Sequence, residues 1–143
     1  MKKGLLLMTL LLVSVVGFSQ SADAIVGKWL NKDGNAHIQI YKRGNTYAGK
    51  LAWLQAPNNE QGKPKTDSKN PQENLKTRPI LGLEILKGFS YNDKNWDDGS
   101  IYDPKTGKTY SCNLTLSGND KLNVRGYIGV SFIGRTDIWT RVK

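Results

Sequence analysis

The sequence predicts an all-β chain folded as an antiparallel up-and-down barrel of about eight strands, and three observations predict it. Turn signals recur at short, fairly regular intervals: Lys32-Asp33-Gly34-Asn35, Arg43-Gly44-Asn45, Tyr91-Asn92-Asp93-Lys94-Asn95, Asp103-Pro104-Lys105-Thr106-Gly107 and Ser117-Gly118-Asn119-Asp120. Between them lie short runs rich in β-branched and aromatic residues. Outside the N-terminal leader, no segment shows the apolar periodicity of an amphipathic helix. Strands in sequence order joined mostly by tight turns suit closure into a barrel, which leaves no exposed sheet edge. A two-sheet sandwich is the alternative architecture.

The strands are expected at 26–30, 36–42, 46–54, 79–89, 98–103, 107–116, 121–128 and 134–142. Asp103-Pro104 fits the start of a type I turn, and Gly107 can take the positive φ that returns the chain to its partner. Trp29 falls in the first strand, Trp53 in the third, Trp96 just before the fifth and Trp139 in the last.

Ahead of the barrel, residues 1–19 have the pattern of a secretory signal: Lys2 and Lys3, an apolar centre from Leu5 to Val16, then Gly17-Phe18-Ser19. The apolar run is shorter than the roughly 20 residues that span a bilayer, and no basic cluster closes it, so a membrane-spanning anchor is not expected. Ala22-Asp23-Ala24 is a second small-x-small site, which places the end of the leader at 19 or as late as 24. Residues 20–143 then form a single domain, expected in the periplasm or secreted.

Composition narrows the partners. The 21 Lys and Arg residues against 12 Asp and Glu give a net charge of +9, and loss of Lys2 and Lys3 with the leader leaves +7. An exported basic chain meets anionic headgroups, acidic polysaccharide and small carboxylates rather than nucleic acid. Its lysines are scattered, which suits a solubilising surface. Cys112 is the only cysteine, so no intramolecular disulfide and no cysteine-pair metal site can form. It reads as a small apolar residue packed in a strand.

Catalytic constellations are missing from the sequence. His37 is the only histidine, and on its strand it alternates with Gln39 and Tyr41, opposite Ile38 and Ile40, so it is expected to face solvent. Asp97 and Asp98 are neighbours that an extended chain sends to opposite faces, which makes them a poor acid/base pair. No catalytic residue, metal site or cofactor is expected. Gly126-Tyr127-Ile128-Gly129 and Ile133-Gly134-Arg135 continue strand patterns rather than a phosphate-cradling turn. Arg125 and Tyr127 share a face and could together hold a carboxylate or phosphate. If Leu122, Val124 and Ile128 fill the core, that pair looks outward instead.

One connection breaks the rhythm: residues 55–78 carry Pro57, Pro64 and Pro71 and almost no aliphatic side chain. Asn70 can cap, Pro71 fits a first helical position and Glu73 a capping box, so one helical turn is expected near Pro71 to Lys76. Asp67 and Arg78 can pair across its base. The segment is a candidate lid over one barrel end, or else a fixed plug, and it puts Arg78 at the rim beside Tyr102 and Asp103. The candidate ligand-binding residues are therefore Arg78, Tyr102, Asp103, Arg125 and Tyr127.

Gly27-x-Trp29 with a late Arg141 resembles the barrel-closing signature of the lipocalin and calycin group, in which Arg141 would lie over Trp29. A longer set of motifs agrees with it: Ile25-Val26-Gly27-Lys28-Trp29, Gly49-Lys50-Leu51-Ala52-Trp53-Leu54, Asp67-Ser68-Lys69-Asn70-Pro71, Arg78-Pro79-Ile80-Leu81-Gly82-Leu83, Ile101-Tyr102-Asp103-Pro104, Gly107-Lys108-Thr109-Tyr110, Val124-Arg125-Gly126-Tyr127-Ile128-Gly129 and Trp139-Thr140-Arg141. In this order they resemble a family of exported bacterial proteins, domain of unknown function 2147. The resemblance implies a lipocalin-like barrel and brings no catalytic residues. Many members look as if they carry a cysteine on each side of the second hairpin turn, where this chain has Arg43 and Ala48. The expected role is non-enzymatic binding of a small, partly apolar or anionic ligand at one barrel end. The alternative is an envelope-associated protein whose outer face binds anionic surface polymer or a protein partner.

Overall fold

The computed structural model describes residues 21–130 and 133–143, so the leader expected at 1–19 lies outside the described residues. Eight strands run in sequence order around a closed antiparallel barrel: β1 Gly27–Leu30, β2 Ala36–Arg43, β3 Thr46–Leu54, β4 Glu84–Asn92, β5 Asn95–Asp103, β6 Lys108–Ser117, β7 Lys121–Tyr127 and β8 Gly134–Arg141. The barrel closes where β8 returns to β1, with Trp29 opposite Arg141 and Leu30 opposite Thr140. Alternation drives the packing. On β2, Ala36, Ile38 and Ile40 are buried while His37, Gln39 and Tyr41 are only partly covered. The inward side chains join Trp29, Leu86, Phe89, Leu114 and Leu122 in one core.

An up-and-down topology sorts the connections. The turns after β2, β4 and β6 lie at one end and are tight, whereas residues 31–35, 55–83, 104–107, 128–130 and 133 all lie at the other. The tight end is plugged by a short 3₁₀ turn, Ala22–Ile25, just before β1. Buried indole N–H groups hold it, since Trp29 donates to the Ile25 carbonyl and Trp96 to the Ala22 carbonyl, both at 2.9 Å. Tyr47 donates to Asp23. Burial and that carboxylate push the Tyr47 phenol up to about 12, so it remains a donor. The Arg141 guanidinium lies 4.3 Å from the Trp29 ring and donates to the carbonyls of Ala24 at 2.7 Å, Asn119 at 2.7 Å and Val26 at 3.3 Å.

The fourth strand starts at Glu84, not at 79. Gly82 has φ +88° and the Leu83 N–H turns back to the Ile80 carbonyl, so 79–83 bends before the strand begins. The strand then runs on to Asn92, because Asp93 and Lys94 both take positive φ, 47° and 70°, and make a two-residue turn where five residues were expected. Trp96 thereby falls inside β5, fully buried. Asp97 and Asp98 occupy a bulge in β5, with Asp98 at φ +62°, rather than a plain strand start. At Gly99 an added Cβ would sit 2.3 Å from the Phe89 ring, so glycine there is a packing requirement.

The long connection is ordered against the barrel. Thr66 bridges Pro79 and Asn58 bridges Pro64. The helical turn is a single 3₁₀ turn, Glu73–Leu75, preceded by Gln72 with no side-chain cap. Asn70 starts it differently from a helix cap: its side-chain oxygen accepts the Gln72 N–H at 2.8 Å while its amide donates to Asp67 at 2.9 Å. Arg43, at one of the two positions compared with a cysteine pair, donates to both Glu84 oxygens at 2.6 and 2.9 Å, and Tyr41 donates to the same carboxylate, so these contacts tie β2 to the start of β4.

Candidate functional site

The end opposite the plug opens into a cavity of about 820 Å³. Its inner wall is apolar, formed by Ile38, Leu51, Ile85, Ile101, Val124 and Trp139, which are inward positions of β2, β3, β4, β5, β7 and β8. Space exists there partly because Gly126 faces inward without a side chain. An added Cβ at 126 would only touch Ile101 and Tyr110 at 3.8 Å, so the backbone tolerates a side chain that would fill the cavity.

Polar groups ring the mouth. Lys32, Asp33, Lys105, Arg135 and Asp137 come from two of the four open-end connections and the start of β8. Asp137 lies 3.2 Å from the Arg135 Nε and 4.0 Å from the Lys32 ammonium, and Asp33 lies 3.7 Å from that of Lys105. Lys65, contributed by the long connection, has no ion pair among the described residues. The rim therefore offers a cation free to meet an anionic head above apolar walls.

Tyr102, Asp103 and Tyr127 of the expected ligand residues line this cavity. Asp103 is engaged by its own turn, accepting the Lys105 N–H at 2.9 Å and the Thr106 hydroxyl at 3.3 Å. Arg78 does not line the cavity. It pairs with Asp67 as the spacing suggested, Nε to Oδ2 at 2.9 Å, and its guanidinium lies 5.7 Å from the Tyr102 ring. The Tyr102 hydroxyl donates to the other Asp67 oxygen at 2.5 Å. Asp67 is fully buried. Burial pushes its carboxyl up, but the hydrogen bonds from Tyr102, Asn70 and Arg78 together with the Arg78 charge outweigh that and hold it below the ordinary aspartate value. Burial, then Asp67 itself, push the Tyr102 phenol up, so it stays protonated and donating. This cluster braces the long connection against β5 and sets one side of the cavity mouth.

Arg125 lies apart from the cavity, on the outer face of β7, where it donates to the Thr136 hydroxyl at 3.1 Å. Lys65, Arg135 and Asp137 escaped the sequence reading. For the latter two a signal existed, because 135, 137 and 139 share the inward face of the last strand with Trp139. Charged residues at inward positions violate the usual apolar alternation, and that violation marks a lumen rather than a filled core. His37 stands outside the barrel with its ring 4.6 Å from that of Trp53. Among the described residues no group of His, Cys, Asp and Glu could hold a metal ion.

A closed eight-strand meander plugged at one end and hollow at the other is a lipocalin-like barrel. It is similar to a solved structure described as "Protein HP1028 from the human pathogen Helicobacter pylori belongs to the lipocalin family", with a TM-score of 0.72, 18% sequence identity and 82% of each chain covered. The chain belongs to the family DUF2147, described as "Uncharacterized protein conserved in bacteria", whose model matches residues 27–141. No curated protein matches the chain.

Proposed function

We propose that the protein is an exported, non-enzymatic binding protein that holds one small amphipathic anion in the open end of its barrel. The observation that carries this reading is the cavity itself: about 820 Å³, apolar below, with a mixed-charge rim at which Lys65 has no ion pair among the described residues, within the roughly 300–1,000 Å³ typical of small-molecule pockets. An acyl or ring system would lie against Ile38, Ile85, Ile101 and Val124, and its carboxylate or phosphate would face Lys65 with Tyr127 nearby. The leader pattern supports export.

Native mass spectrometry of protein taken from its own envelope fraction should find a co-purifying small molecule. Titration with dansyl-labelled undecanoate should show saturable fluorescence enhancement, and Gly126→Leu should weaken it about tenfold or more while the fold is retained. Equal binding by Gly126→Leu would place the probe elsewhere and sink the reading.

A further inference from the structure

We infer that the open end docks on the surface of an anionic phospholipid bilayer. The connection between β7 and β8 exposes Ile128 by 69%, Val130 by 45% and Ile133 by 60%. Ile128 and Ile133 also line the cavity, so one apolar surface runs from the lip into the interior. The Ile133 N–H donates to the Val130 carbonyl at 3.0 Å, which ties Ile133 to Val130. At the same end of the barrel, one residue from the close of β3, Trp53 is 41% exposed against His37.

Scattered exposed aliphatics are ordinary on soluble proteins, but three within six positions at the mouth of an apolar cavity form a patch. Lys32, Lys65, Lys105 and Arg135 border the same opening against Asp33, Asp103 and Asp137, and Lys65 has no ion pair among the described residues, so the opening keeps a small positive excess. Aliphatic side chains meeting the acyl boundary, an indole at the interface and long cationic stems at the headgroups are what a bilayer surface favours. A protein partner fits less well, because three side chains fall far short of the roughly 800 Å² per partner that a stable interface buries. Docked this way, the cavity would open directly onto the acyl region. The docking inference stands apart from the ligand reading, since vesicles can be bound with or without cargo.

The test is co-sedimentation with vesicles of phosphatidylglycerol and phosphatidylethanolamine, compared with phosphatidylcholine alone, at low and high salt. Wild type should bind the anionic vesicles about tenfold or more tightly than the neutral ones, with salt weakening the binding. Val130→Glu should lose at least about tenfold, whereas Ile138→Glu should not, because Ile138 is equally exposed, at 51%, but sits mid-wall on the outer face of β8. Brominated acyl chains should quench wild-type tryptophan fluorescence through Trp53, since Trp29, Trp96 and Trp139 are buried. Absence of binding to anionic vesicles overturns the inference, and so does equal binding by wild type and Val130→Glu. Equal loss in Val130→Glu and Ile138→Glu also overturns it, by showing a diffuse basic surface. Val130 does not line the cavity, so dansyl-undecanoate binding by Val130→Glu reports on the ligand reading separately.

Discussion

Asp67 has no exposed surface and still carries a charge, because each oxygen is matched: Tyr102 on one, Asn70 and Arg78 on the other. Asp67→Asn removes three charge-assisted contacts and should cost about 2–3 kcal/mol near pH 7, read from urea unfolding. The acid side follows from the lowered folded value. A carboxyl depressed below its ordinary 3.8 contributes stability that is complete above that value and lost as pH falls through the lower folded one. The gap between wild type and Asp67→Asn should therefore close below about pH 4, and a gap that stays constant would refute the assignment. At the other end, Arg141→Ala removes the stack on Trp29 and leaves the carbonyls of Ala24, Val26 and Asn119 without that donor, an expected loss of about 1–3 kcal/mol. Cys112 is fully buried and its thiol is pushed up to about 12 by that burial, so a thiol reagent should label it only on unfolding.

Among the elements, the long connection behaves as a brace rather than a free segment. Its amides are engaged at both ends, from Lys65 to the Pro57 carbonyl through Asp67 to Arg78 and Ile80 to Lys65. It also meets the turn between β5 and β6 closely: an added Cβ at Gly107, where φ is +74°, would fall 1.9 Å from the Lys69 carbonyl oxygen. Gly107→Ala should push that contact apart. Hydrogen exchange at Asp67 and Asn70 should then speed up while β4 and β5 remain protected, and unchanged exchange would show that the contact does not hold the segment. Strand order and most turns were legible because local chemistry decides them, as at Asp103-Pro104 and Gly107. The bend at 79–83 was not, because Ile80, Leu81 and Leu83 read as strand and only tertiary contact with Leu51 and Lys65 shows otherwise. The Asp67–Arg78 pairing was visible from its bracketing of the turn. Tyr102 was expected beside Arg78, where it lies, but its hydrogen bond to Asp67 was not, since no local spacing announces a contact with a distant strand. The inward charges Arg135 and Asp137 were hidden for a related reason: whether an inward position is core or lumen depends on what all eight strands supply.

Seen as a whole, the molecule separates two tasks along its axis. One end carries tight turns, the 3₁₀ plug and the Arg141 contacts, and the other carries the long connections, the cavity and the exposed aliphatics. Each strand from β2 to β7 lies between its two neighbours in sequence, so most of the sheet can zip from hairpin to hairpin over short loops. The seam between β1 and β8 is different, since it joins residues more than a hundred positions apart. That single long-range seam gives the barrel a time order. Hairpins assemble before the ring shuts, and contacts across the seam form after the main barrier has been crossed. Arg141→Ala should accordingly raise the unfolding rate, about tenfold for each 1.4 kcal/mol lost, while the refolding rate stays near that of wild type. Stopped-flow refolding slowed in proportion to the lost stability would place the seam in the nucleus instead. Once shut, the barrel owes its lifetime to a guanidinium that plays little part in how fast it forms.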